Sequence, residues 1–407
     1  MGTGLGAPVD ALTGLSASRA GLYIHFPFCL AKCPYCDFAV TVDRRIPHER
    51  YARAVQTELR LWLAADPSLR ERLWGSVFIG GGTPSLWEPV ELGRVLETIR
   101  TELSLSADVE VSLEANPEVG LSQLRLSAFR EAGVNRLSLG AQSFETETLK
   151  RLGRAHQGSD VVAAVHEARR AGFENLSVDL IYGVPGQSVA QATADAERAV
   201  GLGLEHVSLY ALTVESEALA EETPFARQYR RGTLGLPPDD AIVDMADAAH
   251  GVLERAGLAR YEISNFARPG FHSRHNALYW TGGEYAALGV GATRTLRSNA
   301  NHALRSVNLR STPKYLERVE AGELPVDSRE VLGPLECFEE RLSLGLRLST
   351  GVDVRTLATL HGQTWAGARE REASQMVEHG LATWREDRLV LTARGAHLHS
   401  AVCARLL

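Results

Sequence analysis

The chain has 407 residues, which exceeds the length at which one hydrophobic core usually stops growing, so we expect two domains. Its formal net charge of -7 and its pI of about 6.0 argue against a nucleic-acid backbone or an anionic bilayer as the main partner. No apolar run approaches the length of a transmembrane segment, and residues 1–20 lack the apolar core of a signal peptide, so we expect a cytoplasmic protein.

The order of apolar and amphipathic stretches predicts an α/β protein. Residues 1–20, rich in Gly, Ala and Ser, indicate a flexible tail. Beyond them, short apolar runs bounded by turn residues predict strands that begin near residues 22, 77, 109, 136, 176 and 206. Amphipathic stretches between these runs predict helices. Such alternation favours parallel strands with right-handed crossovers, and six units predict an incomplete TIM-like (β/α)6 barrel over residues 21–240.

Polar segments follow several of the predicted strands. They are the Cys29 to Cys36 loop, GGGTPS at 80–85, EANP at 114–117, GAQSF at 140–144, and Asp179 with GVPGQ at 183–187. In a parallel barrel the functional residues lie where strands end and loops begin. We therefore expect these segments to meet at one mouth of the barrel.

The pattern changes beyond residue 240. Residues 241–311 form a predicted connecting region, in which the stretch at 261–292 reads as irregular and contains HNALYW at 275–280. Helical patterns at 336–346, 354–360 and 365–379, followed by a hairpin around Glu386, predict a winged-helix-like α+β domain over residues 312–407. Mixed charge on the hairpin argues against DNA binding.

Three of the five cysteines lie within one short loop. Cys29, Cys33 and Cys36 are thiolate ligands suited to an iron-sulfur cluster or to zinc, whereas Cys337 and Cys403 stand alone and are expected to be buried. Three local thiolates would leave one iron of a [4Fe-4S] cluster open. The alternative is a structural zinc site with His25 as the fourth ligand.

The C-x3-C-x2-C loop after a first strand, in a chain of six βα units, resembles the radical-SAM superfamily. Together with YIHFPFC, GGGTPS, EANPE, GAQSF and DLIYGVPGQ, it resembles the oxygen-independent coproporphyrinogen III oxidase group from about Gly21 to the end of the chain. The resemblance implies a [4Fe-4S] cluster on the three cysteines, with S-adenosylmethionine (SAM) on its open iron. It also implies SAM contacts at the matching positions, which are Tyr23, Tyr35, Gly81, Gly82, Thr83, Glu114, Gln142, Arg154 and Asp179.

Two features separate the chain from the oxidases of this group. Phe38 stands where the oxidases have a further cysteine, and the extension before the cluster loop is short. HNALYW also matches the H-N-x-x-Y-W pattern of the related heme chaperones. That resemblance implies His275 as an axial ligand of heme iron, Tyr279 and Trp280 packed on the macrocycle, and Asn276 orienting a partner.

The resemblance therefore implies a heme chaperone that delivers heme to apo-heme proteins, with membrane-associated respiratory enzymes as the expected acceptors. It assigns no catalytic residue and allows a homodimer. Two other functions stay open from the residues: an oxidase acting on coproporphyrinogen III, and a winged-helix DNA-binding regulator that uses the cluster as a redox sensor.

Overall fold

The computed structural model describes residues 19–117, 120–214 and 222–407. Most of the tail expected at residues 1–20 lies outside this part of the chain. Its last two residues lie within it, because Ala20 begins the first strand and Arg19 donates from Nη1 to Asp108 Oδ1 at 2.8 Å.

A central sheet of twelve strands forms the larger unit, and its order is β14-β13-β12-β11-β1-β4-β5-β6-β7-β8-β10-β9. Strands β1 and β4 to β8 are parallel to their neighbours within that series. The first eight strands are β1 (Ala20–Phe26), β2 (Phe28–Cys29), β3 (Thr41–Val42), β4 (Leu73–Gly81), β5 (Ser104–Ala115), β6 (Arg136–Gln142), β7 (Leu176–Tyr182) and β8 (His206–Ala211). The six predicted parallel strands are thus confirmed, and the order of the sheet is linear, as expected for an incomplete barrel.

Helices connect these strands, and those whose apolar faces belong to the main core cover the outer face of the sheet. They are α1 (His48–Ala65), α2 (Pro89–Glu102), α3 (Gln123–Glu131), α4 (Thr146–Arg151), α5 (Gly158–Arg170), α6 (Val189–Gly201), α7 (Pro224–Arg230) and α8 (Asp239–Arg255). Helix α6 begins with a capping box, in which Ser188 accepts from the backbone of Gln191 and the Gln191 side chain accepts in return. Apolar side chains at helical spacing, including Val55, Leu59 and Leu63 of α1, are buried in the main core.

The stretch expected to be irregular, residues 261–292, is largely regular. It contains the end of β9 (Ala259–Glu262), β10 (Asn265–Ala267), α9 (Arg274–Trp280) and β11 (Tyr285–Gly289). Strand β11 pairs parallel to β1 and so extends the sheet beyond the six predicted strands. An antiparallel meander of β12 (Thr293–Asn299), β13 (His302–Asn308) and β14 (Val326–Leu332) continues it, with α10 (Thr312–Glu320) between the last two strands.

A buried carboxylate joins this extension to the barrel. Glu58 of α1 accepts from the backbone N–H of Gly289 at 2.8 Å, from Asn308 Nδ2 at 2.6 Å and from Tyr315 Oη at 2.7 Å. Burial raises the pKa of Glu58, and these donors oppose that rise by stabilising its charge. The sheet extension is therefore held to helix α1 by directional bonds as well as by apolar packing.

The C-terminal unit has its own core, which includes Phe338, Leu342, Trp365 and Leu389. Its elements are α11 (Pro334–Gly345), β15 (Val352–Asp353), α12 (Val354–Leu360), α13 (Ala368–Glu378), β16 (Ala382–Arg385), β17 (Arg388–Leu391), α14 (Ala393–His397) and α15 (His399–Leu406). Three helices with a short strand, followed by the β16–β17 hairpin that β15 joins, confirm the winged-helix-like prediction.

The expected division at residue 312 stays a prediction. Tyr315 and Leu316 of α10 belong to the main core, and β14 belongs to the central sheet. These contacts favour a division nearer Gly333, where α11 is about to begin. None of the helices in the described ranges is both long and apolar enough to span a bilayer.

Candidate cofactor site

Parallel pairing brings the carboxyl ends of β1, β4, β5, β6 and β7 to one edge of the sheet. The cysteine loop leaves this edge directly after β1. Short parallel pairing of β2 with β3 holds the two ends of the loop together, with Cys29 opposite Val42. Inside the loop the N–H of Cys36 donates to the carbonyl of Cys33 at 3.2 Å. Burial raises the pKa of the Cys36 thiol to about 11.

A glycine turn lies against the cysteine loop. The N–H of Gly82 donates to Phe26 O and that of Thr83 to Phe28 O. A Cβ at Gly82 would lie 2.7 Å from Phe28 O and 3.0 Å from Cys29 Sγ, so only glycine allows this approach. Thr83 Oγ1 lies 3.5 Å from Cys29 Sγ. The GGTP segment expected to contact SAM therefore touches the first cluster cysteine.

Two carboxylates from neighbouring regions of the sheet face the lumen beside this turn. Glu114 Oε2 accepts from the N–H of Gly81 at 3.0 Å, and Asp179 accepts from Ser138 Oγ at 3.1 Å. Burial, and then the charge of Asp179, raise the pKa of Glu114 to about 8. Burial also raises the pKa of Asp179. A ligand that brings donors, such as an ammonium group or ribose hydroxyls, would favour the charged form of both carboxylates, in which they act as acceptors.

Arg154 connects the strand ends to the cysteine loop. Its Nη2 donates to Gly140 O at 3.1 Å, and its Nη1 lies 3.7 Å from Cys33 Sγ. Gln142 ends β6 with a φ of 63°, a left-handed conformation that a residue with a side chain rarely adopts. Strain of this kind is concentrated at functional sites, and here it falls on a predicted SAM contact.

Tyrosines line the lumen and the loop. The Tyr23 ring stacks near Phe78, with centroids 6.2 Å apart. Tyr35 lies near Phe225 of α7, at 6.5 Å between centroids, and burial raises its pKa. Sequence reasoning missed Tyr210 of β8, which is 39% exposed. Desolvation first, and then the charge of Asp179, raise the pKa of its hydroxyl group. Tyr210 lies on the same face of β8 as His206 and Ser208, and this spacing of two residues is the signal that could have identified it.

The donor set fits a cluster better than a single zinc ion. Within the described part of the chain, no group of three His, Cys, Asp or Glu side chains converges as a one-ion site would require. His25, the fourth ligand of the zinc alternative, is 5% exposed, and both of its ring nitrogens have other partners. Its Nε2 lies 2.9 Å from Ala39 O, and its Nδ1 lies 3.0 Å from Tyr23 Oη. A cluster instead receives its thiolates on separate irons.

The H-N-x-x-Y-W helix, α9, lies at the opposite end of the barrel. Ser273 caps it by accepting from the backbone of Asn276, and Glu110 of β5 accepts from the N–H of His275 at 3.2 Å. His275 packs on Phe78, with ring centroids 5.2 Å apart. A Cβ at Gly21, near the start of β1, would lie 3.0 Å from His275 Nδ1. The motif therefore closes the amino-terminal end of the barrel, away from the cysteine loop.

His275 is not free to bind iron in this conformation. It is 1% exposed, its Nδ1 lies 2.9 Å from Ser76 Oγ and its Nε2 lies 2.9 Å from Tyr279 Oη. Burial lowers its pKa to about 3, so the ring is neutral. Axial ligation by His275, as implied by the sequence resemblance, would require at least one of these hydrogen bonds to break.

The other motif residues are more accessible. Asn276, Tyr279 and Trp280 are each partly exposed. The Arg347 guanidinium of the C-terminal unit covers the Trp280 ring at 4.3 Å from its centroid. Trp280 Nε1 is buried with no acceptor among the described residues. The indole, expected to pack on a porphyrin, is thus stacked on a cation here.

Known protein families match two parts of the chain. Residues 23–199 match the Radical SAM superfamily, and residues 332–398 match the HemN C-terminal domain. Heme chaperone HemW of Mycobacterium tuberculosis is 37% identical over 407 residues, covering 98% of each chain. Heme chaperone HemW of Bacillus subtilis is 34% identical over 95% of this chain and 98% of its own.

A solved structure shows the same fold. Coproporphyrinogen III oxidase (HemN) from Escherichia coli, described as a radical SAM enzyme, superposes with a TM-score of 0.79 at 22% sequence identity. The match covers 98% of this chain and 93% of that one. The likeness extends over both units, so the winged-helix-like domain is part of the shared architecture.

Proposed function

Because this chain belongs to the heme chaperone HemW family of radical SAM proteins, we propose that it binds heme and passes it to apo-heme proteins. The observation that carries the proposal is the cysteine loop, seated against a glycine turn in a chain that matches the HemW proteins from end to end. A radical SAM protein of this family uses a [4Fe-4S] cluster and SAM. We assign the cluster to Cys29, Cys33 and Cys36.

The chain's own residues give the proposed SAM site its selectivity. Glu114 and Asp179 accept hydrogen bonds, and Arg154 offers donors to a carboxylate. Gly81, Gly82 and Thr83 let the backbone approach a ligand closely. Tyr23, Tyr35 and Gln142 complete the lining. When bound at the open iron, SAM supplies a reducible sulfonium, and these residues fix its orientation and limit access of water.

We place heme binding at the H-N-x-x-Y-W helix and its surroundings. Polar and aromatic groups are partly exposed here, on Asn276, Tyr279 and Trp280. Both ring nitrogens of His275, in contrast, are occupied by hydrogen bonds with Ser76 and Tyr279. We therefore propose that the described conformation is a closed form of this site. Heme uptake would involve rearrangement of α9, which lies between two glycine-bearing segments, residues 270–273 and 282–283.

The proposed partners are apo-heme proteins, with membrane-associated respiratory enzymes as the acceptors expected from the sequence, and a second copy of the chain as an allowed assembly. We place the protein in the cytoplasm. Three of the five cysteines lie within one short loop, a clustering that in a reducing compartment favours a metal or cluster site over disulfides.

Paired variants test the two sites separately. Cys33→Ala should remove the brown, reducible chromophore of anaerobically reconstituted protein and leave most heme binding, measured by absorbance titration. His275→Ala should weaken heme binding and spare the chromophore. Cys403→Ala and His302→Ala change the same residue types elsewhere and should keep both signals. If Cys33→Ala and His275→Ala each removed both signals while the controls kept both, the two-site proposal would be contradicted.

The second candidate function is that of an oxidase, which the fold of the HemN structure favours. Phe38 at the position of the oxidases' further cysteine argues against it. We expect no conversion of coproporphyrinogen III to protoporphyrinogen under reducing conditions with SAM supplied. Clear turnover by the wild-type protein, absent in Cys33→Ala, would favour the oxidase.

A further inference from the structure

The segment that follows the last cluster cysteine is held from outside the barrel. Arg310, in the connection between β13 and α10, donates from Nη2 to the carbonyl oxygen of Asp37 at 2.6 Å. Asp37 directly follows Cys36 in the sequence. A charge-assisted bond to this carbonyl fixes the peptide that leaves the third cysteine.

Two neighbouring contacts strengthen the same attachment. Thr41 Oγ1 and Thr312 Oγ1 share a hydrogen bond of 2.7 Å. Gly291, with a φ of 64°, approaches the loop so closely that a Cβ there would lie 2.7 Å from Ala39 Cβ. The sheet extension therefore contacts residues 37–41 at three successive points.

The inner side of this segment is held by the barrel. His25 Nε2 lies 2.9 Å from Ala39 O, and because a carbonyl only accepts, Nε2 carries the proton. Burial is the main cause that lowers the His25 pKa, and the nearby charge of Arg310 adds to that lowering. Phe38, between the two held carbonyls, is 53% exposed. The peptide is thus fixed from both sides while one arginine charge stays close to the cysteine loop.

We propose that Arg310 is a positioning residue of the cluster: it holds the peptide after Cys36 and places a permanent positive charge beside the cluster. The inference rests on the proposed cluster at the three cysteines. A nearby cation favours the more negative, reduced form of a cluster, so it raises the reduction potential. A fixed loop also slows the release of iron.

Arg310 lies outside both regions that match a known family, residues 23–199 and residues 332–398. The barrel alone therefore does not supply this contact. The sheet extension supplies it, in a part of the chain for which the sequence pattern predicts only a connecting region.

Two substitutions separate the charge from the hydrogen bond. Arg310→Gln removes the charge, and Arg310→Lys keeps the charge but replaces the planar guanidinium with a shorter ammonium group. Arg50→Gln is the matched control, because Arg50 is exposed and pairs with Glu320 of α10 without touching the loop. The readouts are iron and sulfide content, the midpoint potential of the cluster by spectroscopic titration, and the rate of cluster loss to a chelator.

We expect Arg310→Gln to fold, as judged by circular dichroism, and to show a lower midpoint potential with cluster loss about tenfold faster. Arg310→Lys should restore the potential and still lose the cluster faster than the wild type. Arg50→Gln should match the wild type in midpoint potential and in the rate of cluster loss. If Arg310→Gln fails to fold, Arg310→Lys provides the test. Cluster loss from Arg310→Lys at the wild-type rate would then overturn the proposal.

Failure of this inference is distinguishable from failure of the proposed function. A wild-type protein that takes up the cluster, together with a folded Arg310→Gln of unchanged potential and unchanged rate of loss, would overturn the role of Arg310 alone. A wild-type protein that takes up no cluster would overturn both.

Discussion

Tyr23 Oη lies 3.0 Å from His25 Nδ1, two residues further along the same face of β1. Because His25 Nε2 donates to Ala39 O, Nδ1 must accept, and the Tyr23 hydroxyl is the donor. Burial lowers the His25 pKa to about 4 and raises that of Tyr23, so both groups are neutral at neutral pH. A proposed SAM contact is thereby joined through one imidazole to the loop that carries the cysteines.

The close approach of Gly82 to the cysteine loop predicts a severe effect of one added methyl group. In Gly82→Ala the Cβ would meet backbone atoms of Pro27 and Phe28 within 3.0 Å. Overpacking of about 1–3 kcal/mol should displace the loop and lower cluster retention about tenfold. Gly93→Ala, where the new Cβ would lie 3.5 Å from Ala132 Cβ, should retain the cluster. Equal iron and sulfide content in the two variants would contradict the packing argument.

The raised pKa of Glu114 predicts a pH-dependent stability of the cofactor-free protein. Folding raises this pKa from 4.5 to about 8, so the folded protein holds a proton that the unfolded chain releases. The contribution is full below pH 4.5 and is lost as the pH rises through about 8, with a slope of up to about 1.4 kcal/mol per pH unit. Glu114→Gln should remove that slope.

Urea unfolding at pH 5.5 and pH 8 measures this effect. The stability of Glu114→Gln relative to the wild type should be greater at pH 8 than at pH 5.5. The Glu147 side chain on α4 is exposed, and Glu147→Gln should show no such rise between these pH values. An identical difference between Glu114→Gln and the wild type at both pH values would argue against a protonated Glu114.

The bond between Tyr279 and His275 predicts the response of the proposed heme site to loss of one hydroxyl group. Tyr279→Phe keeps an aromatic ring but removes the partner of His275 Nε2. If that nitrogen binds heme iron, its release should make heme binding about fivefold tighter, as expected for a modest hydrogen bond. Tyr285→Phe, which removes a hydroxyl bonded to Thr295 instead, should leave the affinity unchanged. Weaker heme binding in Tyr279→Phe than in Tyr285→Phe would contradict a ligand role for His275.

The ion pair between Arg347 and Glu262 predicts how firmly the C-terminal unit is docked. Arg347 donates from Nη2 to Glu262 Oε2 at 3.0 Å, and the Glu262 side chain is 0% exposed. Arg347→Met would leave a buried carboxylate with fewer donors and should lower the free energy of unfolding by about 3–5 kcal/mol. Arg355→Met, which breaks an exposed pair with Glu370, should cost less than about 1 kcal/mol. Similar losses in the two variants would show that the buried pair is not a main contact.

The barrel strands and the convergence of the site were accessible from sequence because both depend on local pattern. Apolar runs such as LSVDLIY at 176–182 reveal strands, and parallel pairing places strand ends at one edge whatever their distance in sequence. The sequence pattern therefore predicts that four residues lie close together: Cys29, Thr83, Glu114 and Arg154. Their roles toward SAM remain predictions.

The sheet extension and the state of His275 depend on distant partners. Strand β11 is short, and its sequence YAALG has no alternation to mark it; its pairing with β1 decides its conformation. His275 Nδ1 forms a hydrogen bond with Ser76, which lies on β4. Arg310 likewise acquires a role only through its contact with Asp37. No local sequence pattern encodes such long-range hydrogen bonds.

Iron and acid-labile sulfide analysis of anaerobically reconstituted protein tests the central claim most directly. We predict about four irons and four sulfides per chain in the wild type, and loss of both in Cys33→Ala. Colourless wild-type protein, or protein carrying one zinc ion per chain in place of iron, would contradict it.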